Sequence, residues 1–113
     1  MFETGKTFIV FPVKVFFAPI SEQDNIIKAG VGVSRRNFKK AVHRNRIKRL
    51  LREAYRTEKI PLHTYLNSTE KKLAVFLLYI DKSLPGYLPL KEKMRVCIQR
   101  IIKELNEVVP ENT

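Results

Sequence analysis

The stretch from Arg35 to Arg56 constrains the fold of this chain most, because it holds almost all of the excess charge. It contains ten basic side chains and one acidic side chain, Glu53, for a net charge of +9, whereas the other 91 residues carry 12 basic and 10 acidic side chains. A chain made uniformly basic for solubility would not concentrate charge in this way. The segment therefore predicts a single surface that faces a polyanion, of which nucleic acid is the first candidate.

The same stretch predicts an amphipathic helix, which begins near Phe38 to Lys40 with Asn37 as its N-cap and runs through Arg56 without glycine or proline. At about 100° per residue, one side has the spacing of a core-facing stripe bordered by Tyr55. That stripe contains His43, Ile47, Leu50, Leu51 and Ala54. The opposite side presents Asn45, Lys48, Arg49, Arg52 and Arg56, with Arg44 and Arg46 near its two edges. Glu53 alone cannot neutralise this side, and we expect it to pair with a neighbouring arginine.

The remaining sequence predicts a sheet. Thr7 to Phe17 is aromatic and β-branched, and indicates one strand or a strand bent at Pro12. Ile26 to Val33 indicates a second strand, in which Gly30 and Gly32 permit a close approach. The continuous apolar run from Leu73 to Ile80 is typical of a buried central strand.

Two further helical segments are predicted. Pro89 lies in the first turn of a last helix that runs to about Asn106. Its core-facing side is Leu90, Met94, Cys97, Ile98, Ile101 and Leu105, so Cys97 is interpreted as packing rather than as a nucleophile. Between Thr57 and Lys72, Pro61 argues against one continuous helix. A short helical turn under the sheet would pack Leu62, Tyr65 and Leu66.

Composition sets the limits on function. With 113 residues, 44% of them apolar, the chain is predicted to be a single RNA-binding domain, residues 1–113. Neither a disulfide, a zinc spacing, a catalytic triad nor a P-loop is present, so we expect no catalytic residues, no protein metal site and no small-molecule cofactor. No segment reaches the ~18 to 20 apolar residues of a membrane span, and we expect a cytoplasmic protein without a membrane partner.

The residues VGVSRR at 31–36, followed by AVHRNRIKRLLREAYR at 41–56, closely resemble the signature of the protein component of bacterial ribonuclease P. The similarity extends from about Gly5 to Glu107. The resemblance implies an α/β (α+β) sandwich with a mixed, mainly antiparallel sheet and the basic helix in a left-handed crossover, ribosomal-protein S5 domain 2-like. The family normally begins with a basic helix that carries an aromatic pair. We expect this helix to be missing or truncated here, with Phe2 alone standing for the pair. The loop from Asn37 to Lys40 is one residue longer than is usual and lacks glycine.

The resemblance also implies a function. The chain would be the accessory protein subunit of a bacterial ribonucleoprotein endoribonuclease, monomeric without RNA, that matures tRNA 5′ ends. The catalytic RNA would perform the hydrolysis with Mg²⁺ that RNA mainly holds, and the partners would be that RNA and precursor tRNA.

Charge pattern and resemblance together assign RNA contact to one amide and ten cations: Arg35, Arg36, Lys39, Lys40, Arg44, Asn45, Arg46, Lys48, Arg49, Arg52 and Arg56. The resemblance assigns the 5′ leader to Phe16, Lys48 and Arg52. Strand alternation adds Lys14, because it places Lys14 and Phe16 on one face and Val13, Val15 and Phe17 on the other.

Three alternatives stay open at this point. A structural rRNA-binding protein of ribosomal type would share the basic helix and would bind RNA without promoting cleavage. A helix-turn-helix protein fits less well, because the basic helix follows a strand rather than a partner helix. An autonomous hydrolase has the least support from the residues.

Overall fold

The described residues form a four-stranded sheet and three helices. The computed structural model describes residues 5–20, 27–69 and 72–108. Its elements are, in chain order, β1 (Lys6–Val10), β2 (Val13–Pro19), β3 (Ile27–Val33), α1 (Ala41–Glu58), α2 (Ile60–Thr69), β4 (Leu73–Tyr79) and α3 (Tyr87–Val108). Phe2 and Ile26, both named in the sequence predictions, lie outside these residues.

The sheet has the strand order β1-β2-β4-β3. β1 pairs with β2 and β2 with β4 in antiparallel fashion, whereas β3 and β4 are parallel and are connected through α1 and α2. This confirms the predicted α+β class, the mixed and mainly antiparallel sheet and the basic helix in a crossover. The likeness to the ribosomal-protein domain stays a prediction.

The segment from Thr7 to Phe17, expected to be one strand or a strand bent at Pro12, is instead a hairpin. The chain turns at Phe11 and Pro12, and Val10 pairs with Val13 across the turn. Proline has no N–H to donate to a ladder, so a turn suits Pro12 better than a strand interior. Its carbonyl oxygen accepts a hydrogen bond from the Ile80 backbone N–H at 2.9 Å, which fixes the turn against the end of β4.

The two faces of the sheet differ. Val13, Val15 and Phe17 of β2 are buried beneath the helices, and so are alternate residues of β4. The other face carries Lys14 and Phe16 beside Phe76, and no described helix covers these side chains completely. We call it the open face. β4 is an interior strand, as predicted, but the prediction that it is buried holds for every second residue only, since the alternate residues lie on the open face.

Helix α1 is held by the predicted apolar stripe. Ile47, Leu51 and Ala54 are fully buried, and the helix packs on α3 and β3. His43 and Leu50 are half-buried at the margin of this contact, and Tyr55 is buried.

The predicted N-cap is wrong. Lys40 occupies that position, without a side-chain capping bond. The side chain of Asn37 instead donates to the carbonyl oxygens of Ile80 at 3.3 Å and Asp81 at 3.5 Å, and so joins the loop before α1 to the end of β4.

The region between α1 and β4 is more helical than expected. α2 is a ten-residue helix rather than a short turn, with Pro61 in its first turn, where no N–H is needed. Leu62 and Leu66 are buried and Tyr65 is half-buried. The predicted place under the sheet is wrong, because α2 packs mainly on α3 and on α1.

Helix α3 follows the prediction closely. It includes Pro89 in its first turn and extends to Val108, and all six predicted core positions are buried. Burial raises the pKa of the Cys97 thiol to about 12, which suits a packing role rather than a reactive thiolate. In the part of the chain that the structure describes, no helix is long and apolar enough to cross a membrane.

Candidate RNA-binding surface

The side of α1 opposite the core is a row of polar and cationic side chains that we call the basic face: Asn45, Arg46, Lys48, Arg49, Arg52 and Arg56. Lys48 is half-buried and the others are exposed. Among the described residues, Arg46, Lys48, Arg49 and Arg52 make no ion pair or side-chain hydrogen bond with another protein group. Four like charges within about two helical turns are favourable only when an anion lies against them.

Arg56 differs from these four residues because it has a protein partner. Its guanidinium donates hydrogen bonds to both carboxylate oxygens of Glu53, one turn earlier on α1. These bonds favour the charged form and raise the pKa of Arg56. The expected pairing of Glu53 with a neighbouring arginine is confirmed, and part of the charge of Arg56 is already neutralised.

Arg44 holds the loop that precedes α1. Its Nη1 donates to the carbonyl oxygens of Phe38 at 2.9 Å and of Lys39 at 2.8 Å. Phe38 is itself buried, with its ring centroid 6.2 Å from that of Tyr79, and its N–H donates to the Ser34 carbonyl. The Nε and Nη2 groups of Arg44 have no partner among the described residues and are available to a phosphate.

The loop before α1 therefore has fixed and free positions. Asn37 and Phe38 point inward and are bonded or buried, whereas the cations on either side of them are exposed: Arg35, Arg36, Lys39 and Lys40. A loop held in this way loses little conformational freedom when its cations bind an anion. Together with the basic face, these four cations form one positively charged surface at the start of the helix.

The open face of the sheet offers a different kind of surface. The ammonium of Lys14 lies 5.3 Å from the centroid of the Phe16 ring. Phe16 pairs in register with Phe76 of β4, and their ring centroids are 6.2 Å apart with an angle of 53° between the planes. A depression of about 390 Å³ lies beside both rings, with Thr7, Ala18 and Ala74 also in its lining.

Two groups that could carry hydrolytic chemistry, His63 and Cys97, are occupied by structural contacts. His63 Nε2 lies 3.2 Å from the hydroxyl of Tyr55, and burial together with Lys59 lowers the pKa of His63. Cys97 is in the core. Within residues 5–20, 27–69 and 72–108, no three His, Cys, Asp or Glu side chains form a group that could hold a metal ion.

Comparison with known proteins identifies the family. The sequence model of the ribonuclease P family matches residues 1–79. The ribonuclease P protein components of two strains of Porphyromonas gingivalis are each 32% identical to this chain over 102 residues, which cover 89% of this chain and 74% of each relative. That of Chlorobium phaeobacteroides is 30% identical over 105 residues, covering 83% and 72%. The chain belongs to the ribonuclease P protein family. Members of this family are part of an endoribonuclease complex.

The part that matches the ribonuclease P family model contains both surfaces, because residues 1–79 include all four strands and α1.

The residues that the sequence assigns to the 5′ leader do not form one contact cluster. Lys48 and Arg52 belong to α1, which packs beside β3 and α3, whereas Lys14 and Phe16 belong to β2, and β4 lies between β2 and β3. A ligand that touches all four side chains has to extend across the sheet.

The sequence predictions missed Phe76. This residue is 41% exposed, and it lies between Phe16 and the edge strand β3 on the open face. The run from Leu73 to Ile80 has no charged or amide side chain, so the sequence does not show which of its residues face solvent. Gly30 and Gly32 on the neighbouring strand were the available signal, because glycine in a strand often marks the close approach of another group.

Proposed function

We propose that this chain is the protein subunit of ribonuclease P, which binds the catalytic RNA and the 5′ leader of precursor tRNA and so promotes cleavage at the mature 5′ end. The basic face of α1 is the observation that carries this proposal. Four of its cations have no protein partner among the described residues, and the buried side chains of Ile47, Leu51 and Ala54 on the opposite side of the same helix hold them in place. Family membership supports the catalytic RNA of ribonuclease P as the polyanion.

The catalytic RNA is the proposed partner of the α1 surface. Arg46, Lys48, Arg49 and Arg52 contact phosphates, and Asn45 adds an amide that can donate or accept a hydrogen bond. Arg44 contributes its Nε and Nη2 groups, which have no partner in the part of the chain that the structure describes, while Arg35, Arg36, Lys39 and Lys40 extend the contact along the loop. Arg56 contributes less, because Glu53 holds its guanidinium.

The 5′ leader is the proposed ligand of the open face. A single strand exposes the faces of its bases, which stack on aromatic rings, and its phosphates attract cations. Phe16 provides a ring for stacking and the adjacent Lys14 ammonium provides a charge for a phosphate, and the two groups are close enough to contact the same nucleotide. Lys48 and Arg52 would meet the strand where it continues towards α1.

The chemistry of cleavage is assigned to the RNA. Mg²⁺ takes hard oxygen ligands, and RNA phosphates supply them. The described part of the protein has no cluster of acidic, histidine or cysteine side chains that fits the ion. The protein contributes binding and orientation, which bring the scissile bond to the RNA.

Reconstitution tests this proposal. Precursor tRNA is incubated at low Mg²⁺ with the cognate catalytic RNA alone, with the protein alone and with both. We expect slow cleavage by the RNA, none by the protein, and a marked gain when the two are combined. Cleavage by RNA-free protein would contradict the proposal. Binding without any gain in cleavage would do so as well, and would favour the structural rRNA-binding alternative.

A further inference from the structure

We infer that Phe76, whose ring packs on Gly30 and Gly32, is a second stacking residue of the open face. It determines how many bases of the leader the protein binds. This inference rests on the proposed function, since it concerns the same ligand. It adds a residue on β4 and a structural role for two glycines on β3.

The glycines make room for the Phe76 ring. A Cβ atom built on Gly32 would lie 2.7 Å from Cζ of Phe76, and one built on Gly30 would lie 3.2 Å from Cδ1. The ring therefore lies across the backbone of β3, in the space that two side chains would otherwise fill. A substitution at either position has to displace the ring, and more so at Gly32, where the approach is shorter than real Cβ contacts allow.

The exposed part of the ring is usable by a ligand. Phe76 is buried against the glycines on one side but is 41% exposed overall, and Phe16 beside it is half-buried. This partly exposed aromatic pair lies in the interior of the sheet with an apolar depression next to it, and so offers a stacking surface that the backbone of three strands holds in position. Sheets that bind single-stranded RNA use aromatic side chains in this way.

The angle between the rings defines the ligand further. Their planes are inclined at 53° and their centroids are 6.2 Å apart. Two bases that each lie parallel to one of these rings are inclined to each other by the same angle, so they cannot stay stacked on each other. The face therefore suits a single strand with two neighbouring bases splayed apart.

The test uses the holoenzyme and two substrates, precursor tRNA with a short single-stranded leader and the same tRNA without it. The measured quantity is the ratio of their affinities. We expect Phe76→Ala to reduce this ratio by roughly tenfold, in line with the loss of one stacked base. Phe76→Tyr keeps the ring and should retain the ratio. Phe11→Ala removes a ring that is 58% exposed at the hairpin turn and serves as the matched control.

A double-mutant cycle separates stacking from a general structural defect. Gly32→Ala should lower the ratio when Phe76 is present, and Gly30→Ala should lower it less. In the Phe76→Ala background the space is empty, so Gly32→Ala should have little further effect. Equal effects of Gly32→Ala in both backgrounds would overturn the role assigned to the glycines.

A fluorescent base reports the contact directly. 2-Aminopurine is placed at each leader position in turn, and we expect two neighbouring positions whose fluorescence changes on binding, one of them lost in Phe76→Ala. An unchanged affinity ratio and unchanged fluorescence in Phe76→Ala would overturn the inference while leaving the proposed function intact. A wild-type protein that gives no gain in cleavage would instead overturn the proposed function.

Discussion

Arg44 and Arg46 are two residues apart on α1 but have different environments. Arg44 bonds two carbonyl groups of the preceding loop, whereas Arg46 is exposed and has no partner among the described residues. We expect Arg44→Ala to lower the free energy of unfolding by about 1 kcal/mol and to weaken RNA binding. Arg46→Ala should weaken RNA binding while changing stability by less than about 0.5 kcal/mol. Urea unfolding and RNA titration of both variants check this, and equal stability losses would contradict it.

His63 predicts a pH dependence of stability. Burial and Lys59 lower its pKa below the ordinary value of 6.5, so the unfolded chain binds the proton more tightly than the folded chain does. The stability that the neutral ring contributes is present above pH 6.5 and is lost as the pH falls through the folded pKa. Urea unfolding at pH 7.5 and 5.5 should show a larger loss for the wild type than for His63→Gln. The same loss in both proteins would disprove the assignment.

At the scale of single residues, the sequence predicts contacts between side chains that are close together along the chain. The pairing of Glu53 with an arginine followed from a spacing of three along one helix. The role of Asn37 does not follow from local spacing, because its hydrogen-bond partners are 43 and 44 residues away in the sequence. Phe76 was missed for a similar reason, since its exposure depends on which side of the sheet the helices cover.

Within the α1 element, the basic face predicts how RNA binding depends on salt. Each phosphate neutralised contributes about 0.7 to 0.9 to the slope of log affinity against log salt concentration. Arg52→Ala should reduce the slope by about that amount, and Arg56→Ala by less, because Glu53 already holds Arg56. Lys93→Ala removes an exposed charge on α3 and is the control. A reduction as large for Lys93 as for Arg52 would show that total charge, rather than the basic face, determines binding.

The element scale also shows where periodicity succeeds. α1 and α3 were predicted with their core faces, because an uninterrupted 3.6-residue pattern needs no knowledge of the partner. The hairpin of β1 and β2 was missed because the apolar run continues through Phe11 and Pro12. Glu58 connects α1 to α3, because it accepts a hydrogen bond from Arg95 at 3.2 Å and forms an ion pair with Lys91. These partners are more than 30 positions away in the sequence, so no local pattern predicts the contact.

On the scale of the whole molecule, one sheet lies between two candidate binding surfaces. The helices cover one face and leave the aromatic face open, while α1, which packs on β3 and α3, carries the basic face away from the core. The sequence predicted both surfaces but not their separation, because that depends on the strand order, with β4 inserted between β2 and β3. This arrangement suits a protein that binds two RNA molecules at once.

The RNA that copurifies with the protein tests the central claim most directly. The wild type is compared with a variant in which Arg46, Lys48, Arg49 and Arg52 are all replaced by Gln, and the bound RNA is sequenced. We predict that the wild type retains the catalytic RNA of ribonuclease P together with precursor tRNA, and that the folded variant loses both. Recovery of ribosomal RNA alone, or of the same RNA with both proteins, would contradict the account.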